Sequence, residues 1–309
     1  MREVSKMAVG NLVVNGLRDL SKGVIIVLSG GPFDWTNPPE VLGRMDTVIS
    51  EVNADPFVVA NTGGQGLMFK LLVDQQTNHI HQARWRDLCD NPKLVTATPL
   101  ILVGHSNGGA AVIDLARWLH DQGSVVDFVF TADSVFTLDD NGDCYKVPAN
   151  VNLNLNSHTI PTPLWVVLPF PFGQENHQES DGSLDGILNI GLPFQEPGAL
   201  AHRDCFYDLA GGDSTSPSSY KYPELIRDSV LAVLKGATND EVIQMAQQYL
   251  QVLADDVNIS IDIESAAFKT TLQPVGSAAG SQTPRIGNAS VAAMREAMNN
   301  LERVRLSAS

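Results

Sequence analysis

The sequence predicts an α/β fold: a doubly wound, mostly parallel sheet with helices on both faces. Runs that are apolar at every position, such as Gly23 to Leu28 (GVIIVL) and Pro99 to Val103 (PLILV), are too continuous for strands with one wet face. Stretches with apolar residues at helical spacing lie between such runs, and this alternation implies parallel pairing through right-handed crossovers. Turn clusters such as Ser29-Gly30-Gly31-Pro32 and Asn61-Thr62-Gly63-Gly64 punctuate the pattern.

Taken in order, Gly23 to Leu28 is the first strand. Pro38-Pro39 opens a helix carrying Val41, Leu42, Met45, Val48, Ile49 and Val52 on one face. Phe57 to Ala60 is predicted as the second strand, and about Gln65 to Leu88 as a helix with a break. Pro99 to Val103 is the third strand, and Val112, Leu115, Ala116 and Leu119 mark the helix that follows. Val125 to Phe130, Leu164 to Leu168 and Gly186 to Leu192 are the fourth, fifth and sixth strands.

The alternation extends to about residue 235, which defines a core over 1–235 and a C-terminal extension over 236–309. In the extension, Asp240 to Leu253 is helical by pattern and Val257 to Ile263 (VNISIDI) alternates as a half-buried strand does. Pro223 to Lys235 forms a helix just before it. Gly276 to Gly287 has the composition of a linker, and Ala289 to Leu306 is a terminal helix. The extension could cover the sheet edge, form a dimer interface or contribute to a lid.

Composition narrows the function. The chain has 309 residues, 43% hydrophobic and 18% charged, as an ordinary globular enzyme has. A formal charge of −15 leaves no basic excess to neutralise phosphates, so no nucleic-acid partner is expected. Three cysteines, Cys89, Cys144 and Cys205, show no metal-ligand spacing and no disulfide framework. The first twenty residues lack the apolar core of a secretion signal, and no stretch approaches a membrane span, so a soluble, cytoplasmic protein is expected.

The chemistry concentrates at Gly104-His105-Ser106-Asn107-Gly108, which satisfies G-x-S-x-G. Its context matters more than the pattern: it follows the strand PLILV and opens the helix AAVIDLARWL. A serine held in so sharp a turn requires almost no side chain two residues before and after it. Gly104 and Gly108 meet that requirement, while Gly109 and Ala110 allow close packing of the helix. Neither a Walker loop nor a G-x-G-x-x-G loop is present.

VGHSNGGAAVIDLAR, together with GGPFDW after the first strand, resembles the lipase/esterase branch of the α/β-hydrolase superfamily, over roughly residues 23 to 235. The resemblance implies the α/β-hydrolase fold and a serine nucleophile, Ser106, followed in chain order by an acid and then a histidine. His202, in GALAHRDCFYDL after the sixth strand, is the expected base, with His177 as the alternative. His158 comes before the predicted fifth strand, early for that role. Asp133, at the end of the fourth strand, is the expected acid, with Glu175, Glu179 and Asp181 as competitors.

The oxyanion hole needs backbone N–H groups. One is expected from Asn107 and the other from Gly31 or Phe33, because Pro32 has none. Phe33, Trp35, His105, Phe170 and Phe172 are the candidates for contact with substrate. The expected substrate is a small carboxylic ester, apolar or amphipathic, with no cofactor and no metal. Asp139-Asp140-Asn141-Gly142-Asp143 lacks the glycine and glutamate of a calcium loop and is read as a solvated turn. Thioester or peptide cleavage by the same residues is an alternative, as is a silent binding or structural protein with this fold.

Overall fold

The computed structural model describes residues 23–29, 43–64, 66–72, 92–105, 107–132, 134, 146–160, 179–180, 186–193 and 222–275. In chain order its strands are β1 (Val24–Ser29), β2 (Met68–Leu72), β3 (Leu100–His105), β4 (Phe128–Ala132), β5 (Lys146–Val147), β6 (Asn154–Ile160), β7 (Glu179–Ser180), β8 (Ile187–Pro193), β9 (Ile261–Ser265) and β10 (Lys269–Leu272). The helices are α1 (Gly43–Ala54), α2 (Pro56–Thr62), the single turn α3 (Pro92–Val95), α4 (Asn107–Asp121), α5 (Tyr222–Leu234) and α6 (Asn239–Val257).

Eight of these strands form one sheet in the order β10-β9-β8-β6-β4-β3-β1-β2, while β5 and β7 pair separately. From β2 to β8 every pairing is parallel; β9 and β10 add an antiparallel edge. The mostly parallel α/β sheet is therefore present. The continuous apolar runs find their reason in burial on both sides: all six residues of β3 are buried.

Two cores result. Ile25, Val27, Ile101, Val103, Phe128, Phe130, Leu155 and Leu188 face α1, α5 and α6, whose Val48, Val52, Leu225, Val230, Ala246 and Leu250 cover them. Val24, Ile26, Leu100, Leu102 and Val129 face α4, which contributes Val112, Leu115, Ala116 and Leu119. From β1 the chain moves one way to β2 through α1, and from β3 the other way to β4 through α4. A fixed crossover hand puts such helices on opposite faces, as found here.

Polar side chains fasten the ends of these elements. Asn53, on α1, accepts from the backbone N–H of Leu67 and Met68 (2.7 and 2.9 Å) and donates to the carbonyl of Met68 (2.9 Å), which seats the start of β2. Asp127 accepts from Leu100 N–H at the start of β3 (2.8 Å). Arg227, 7% exposed on α5, donates to Glu51 of α1 and to its neighbour Asp228 (both 2.7 Å). Burial alone would lower its proton affinity, but hydrogen bonds and charges from Asp228 and Glu51 outweigh that and raise it. Thr238 and Glu241 form a capping box at the start of α6.

Several predicted elements differ from those observed. Phe57 to Ala60 is not a strand but the middle of α2. Asp55 caps that helix through Phe57 N–H, Pro56 occupies its first turn, and Gly63 ends it in the left-handed region at φ 63°. Only Val58 of that run is buried, whereas a central strand would bury all four residues. The true second strand, Met68–Leu72, lies inside the stretch read as helix from Gln65. The fourth strand begins at Phe128 instead of Val125, which is 51% exposed. Asn258 ends α6 with φ 54°, so the strand expected from Val257 begins at Ile261. Residues 164–168, 276–287 and 289–306 lie outside the described residues.

Residues 239–272 extend the sheet itself, because β9 pairs with β8 and α6 packs on the α1/α5 face. Replacing Asn53 with Ala removes three hydrogen bonds and leaves backbone groups of Leu67 and Met68 without those partners. An expected loss of about 2–3 kcal/mol can be read from the midpoint of urea unfolding.

Candidate functional site

The strand order reverses between β1 and β3: from β1 the chain goes outward to β2 and then returns to the far side of β1. In open parallel sheets, adjacent crossovers that leave in opposite directions part at the carboxyl ends of the strands and leave a crevice there. Here those ends are Ser29 of β1 and His105 of β3, and they are neighbours: Leu28 pairs with Gly104. The carboxyl ends of β1 and β3 thus lie side by side at the point where the strand order reverses.

The turn after β3 is built by close backbone packing. A Cβ on Gly104 would lie 2.4 Å from the carbonyl oxygen of Gly108 and 2.7 Å from the Cα of Gly109. Neither atom can move without shifting the first turn of α4, so only glycine fits. A Cβ on Gly109 would lie 2.1 Å from the hydroxyl of Ser134 and 3.1 Å from its Cα. Ser134 is buried, so the chain that has left β4 passes directly over the start of α4.

Asn107 is the first residue of α4. Its N–H belongs to the first turn, where backbone donors have no acceptor within the helix, and the helix dipole adds positive potential. This is the donor expected of an oxyanion hole. His105 is 3% exposed and shares a register row with Ala132, on the sheet face covered by α1, α5 and α6. Its imidazole lies under the turn. Ser106, Asp133, His202, Gly31, Phe33, Trp35, Phe170 and Phe172 lie outside the described residues. So do His177, Glu175 and Asp181, while Glu179 is in β7.

The sequence reading missed β6. Its Asn152-Leu-Asn-Leu-Asn-Ser-His158 alternation is the period-two signal of a strand, but asparagine on the alternate face suggests solvent there. That face is buried instead: Asn154 and Asn156 are inaccessible, and His158 is 7% exposed. Thr131 Oγ1 donates to Asn156 Oδ1 (2.9 Å), and Asn156 Nδ2 donates to Asn189 Oδ1 (2.8 Å). A polar ladder thus crosses β4, β6 and β8 inside the protein.

Among the described residues no group of three or more His, Cys, Asp or Glu side chains is placed to hold a metal. No described helix is long and apolar enough to cross a membrane. No protein-family model matches the chain, and no curated protein matches it in sequence.

Replacing Gly104 with Ala forces its new methyl into the Gly108 carbonyl. An expected loss of at least about 1–3 kcal/mol is measurable by thermal or urea unfolding. Gly123→Ala serves as the control, because a Cβ there meets nothing and carries only the strain of φ 74°, about 1–2 kcal/mol.

Proposed function

We propose that the protein is a serine hydrolase of the α/β-hydrolase type that cleaves carboxylic esters, with Ser106 as nucleophile, His202 as base and Asp133 as orienting acid. The observation that carries this reading is the backbone contact of Gly104 with Gly108 at the junction of a buried strand and a helix. A strand-to-helix junction with no room for a side chain at Gly104 is what the turn of a nucleophilic serine requires. The reversal of strand order at β1 and β3 supports it, because that is where an open parallel sheet accepts a ligand. The helix start at Asn107 supports it as well, by offering a backbone donor beside the serine.

In this mechanism His202 removes the hydroxyl proton of Ser106 as the oxygen attacks the ester carbonyl. The carbonyl oxygen gains negative charge, which Asn107 N–H and a second N–H from Gly31 or Phe33 stabilise. The imidazolium then gives its proton to the departing alkoxide, and the acyl group remains on Ser106. Water, deprotonated by His202, attacks the acyl-enzyme and releases the acid. Asp133 holds the imidazole in the tautomer that faces Ser106 and stabilises its protonated form. The substrate class is an apolar or amphipathic ester, with Phe33, Trp35, Phe170 and Phe172 as its apolar contacts.

Hydrolysis of short p-nitrophenyl esters is the test. Ser106→Ala and His202→Ala are each expected to lower kcat by at least about a thousandfold, with urea midpoints near that of the wild type. Asp133→Asn is expected to lower kcat strongly as well, through the wrong tautomer. A Ser106→Ala variant that retains wild-type turnover contradicts the reading.

A further inference from the structure

The buried ladder Thr131–Asn156–Asn189 has a position in the sheet that its hydrogen bonds alone do not reveal. Strand register puts Gly104, Thr131, Asn156 and Asn189 in one row across β3, β4, β6 and β8. A side chain at Gly104 would point toward α4, so the ladder lies on that face of the sheet. Gly104 and Thr131 in this row each lie one residue before the end of their strand, His105 in β3 and Ala132 in β4. Asn189 lies on the strand that leads toward His202.

Such a row is poorly explained by stability. Exchanging paired buried polar groups for apolar ones of the same shape is close to neutral or stabilising. The neighbouring row Val103–Phe130–Leu155–Leu188 is apolar throughout, so apolar side chains fit this sheet. What hydrogen bonds add is direction: Asn156 is held at both ends of its amide, by a donor on β4 and an acceptor on β8. A satisfied buried network selects one geometry among several that an apolar core would tolerate.

From this placement we infer that Thr131, Asn156 and Asn189 are positioning residues for the proposed triad, holding the end of β4, beside β3, in register with β6 and β8 so that nucleophile, acid and base align. The inference rests on that triad reading. In this role the ladder acts through the strands it ties together.

The test compares Thr131→Val, Thr131→Ser and the triple variant Thr131→Val/Asn156→Leu/Asn189→Leu in steady-state hydrolysis of p-nitrophenyl butyrate and in urea unfolding. Thr131→Val is nearly the same shape but lacks the donor. Its kcat is expected to fall by about tenfold to a hundredfold, with KM changed less than about twofold. Thr131→Ser keeps the hydroxyl and is expected to retain most of the wild-type kcat. The triple variant is expected to unfold at or above the wild-type urea midpoint and still turn over slowly. Wild-type kcat in Thr131→Val, or equal losses in Thr131→Val and Thr131→Ser, would overturn the ladder's role while leaving the triad intact. A wild type that hydrolyses no ester and whose serine resists a fluorophosphonate overturns the triad reading itself, and the ladder's role with it.

Discussion

The main chain at the end of β3 and the first turn of α4 approach so closely at Gly104 that the Gly108 carbonyl occupies the space of a side chain. Much else follows from that contact. It requires glycine at position 104, and it starts α4 on the face where Val112, Leu115 and Leu119 can cover β1, β3 and β4. It also begins a helix whose first N–H groups have no acceptor within the helix. Ser134, packed on Gly109, shows that the chain leaving β4 is held to the same point.

Around that point the sheet combines two kinds of interior. The row Val103–Phe130–Leu155–Leu188 is apolar and derives its stability from burial, about 1.5–3 kcal/mol for each enclosed side chain. The row through Thr131, Asn156 and Asn189 is polar, and there hydrogen bonds compensate for lost water. The polar row lies one residue before the carboxyl ends of β3 and β4 and nearer the start of β6 and β8. On the opposite face, Arg227 bridges α5 to Glu51 of α1 deep in the helical layer.

The sequence showed the parallel sheet in the runs GVIIVL and PLILV, since strands buried on both faces have no polar phase. It showed less where a short apolar run had two meanings. Pro56 to Thr62 could be strand or helix until the Asp55 cap and the Gly63 ending were seen. β6 was hidden for the converse reason: NLNLNSH alternates correctly, but its polar phase faces inward and is satisfied by neighbours far away in the chain. No local pattern announces a hydrogen bond between residues 131, 156 and 189. The turn at Gly104 was legible because its glycines answer to contacts only four residues apart. The proposed pairing of Asp133 and His202 with Ser106 joins residues far apart in the chain, which no local pattern shows.

The central claim is that the residue at the top of this turn is a nucleophile. Treatment of the folded protein with a fluorophosphonate, followed by proteolysis and mass spectrometry of the peptides, tests it most directly. The account predicts one phosphonyl group per chain, located on Ser106 and absent after Ser106→Ala. An unmodified Ser106 peptide from correctly folded protein, or modification at another serine, would contradict it.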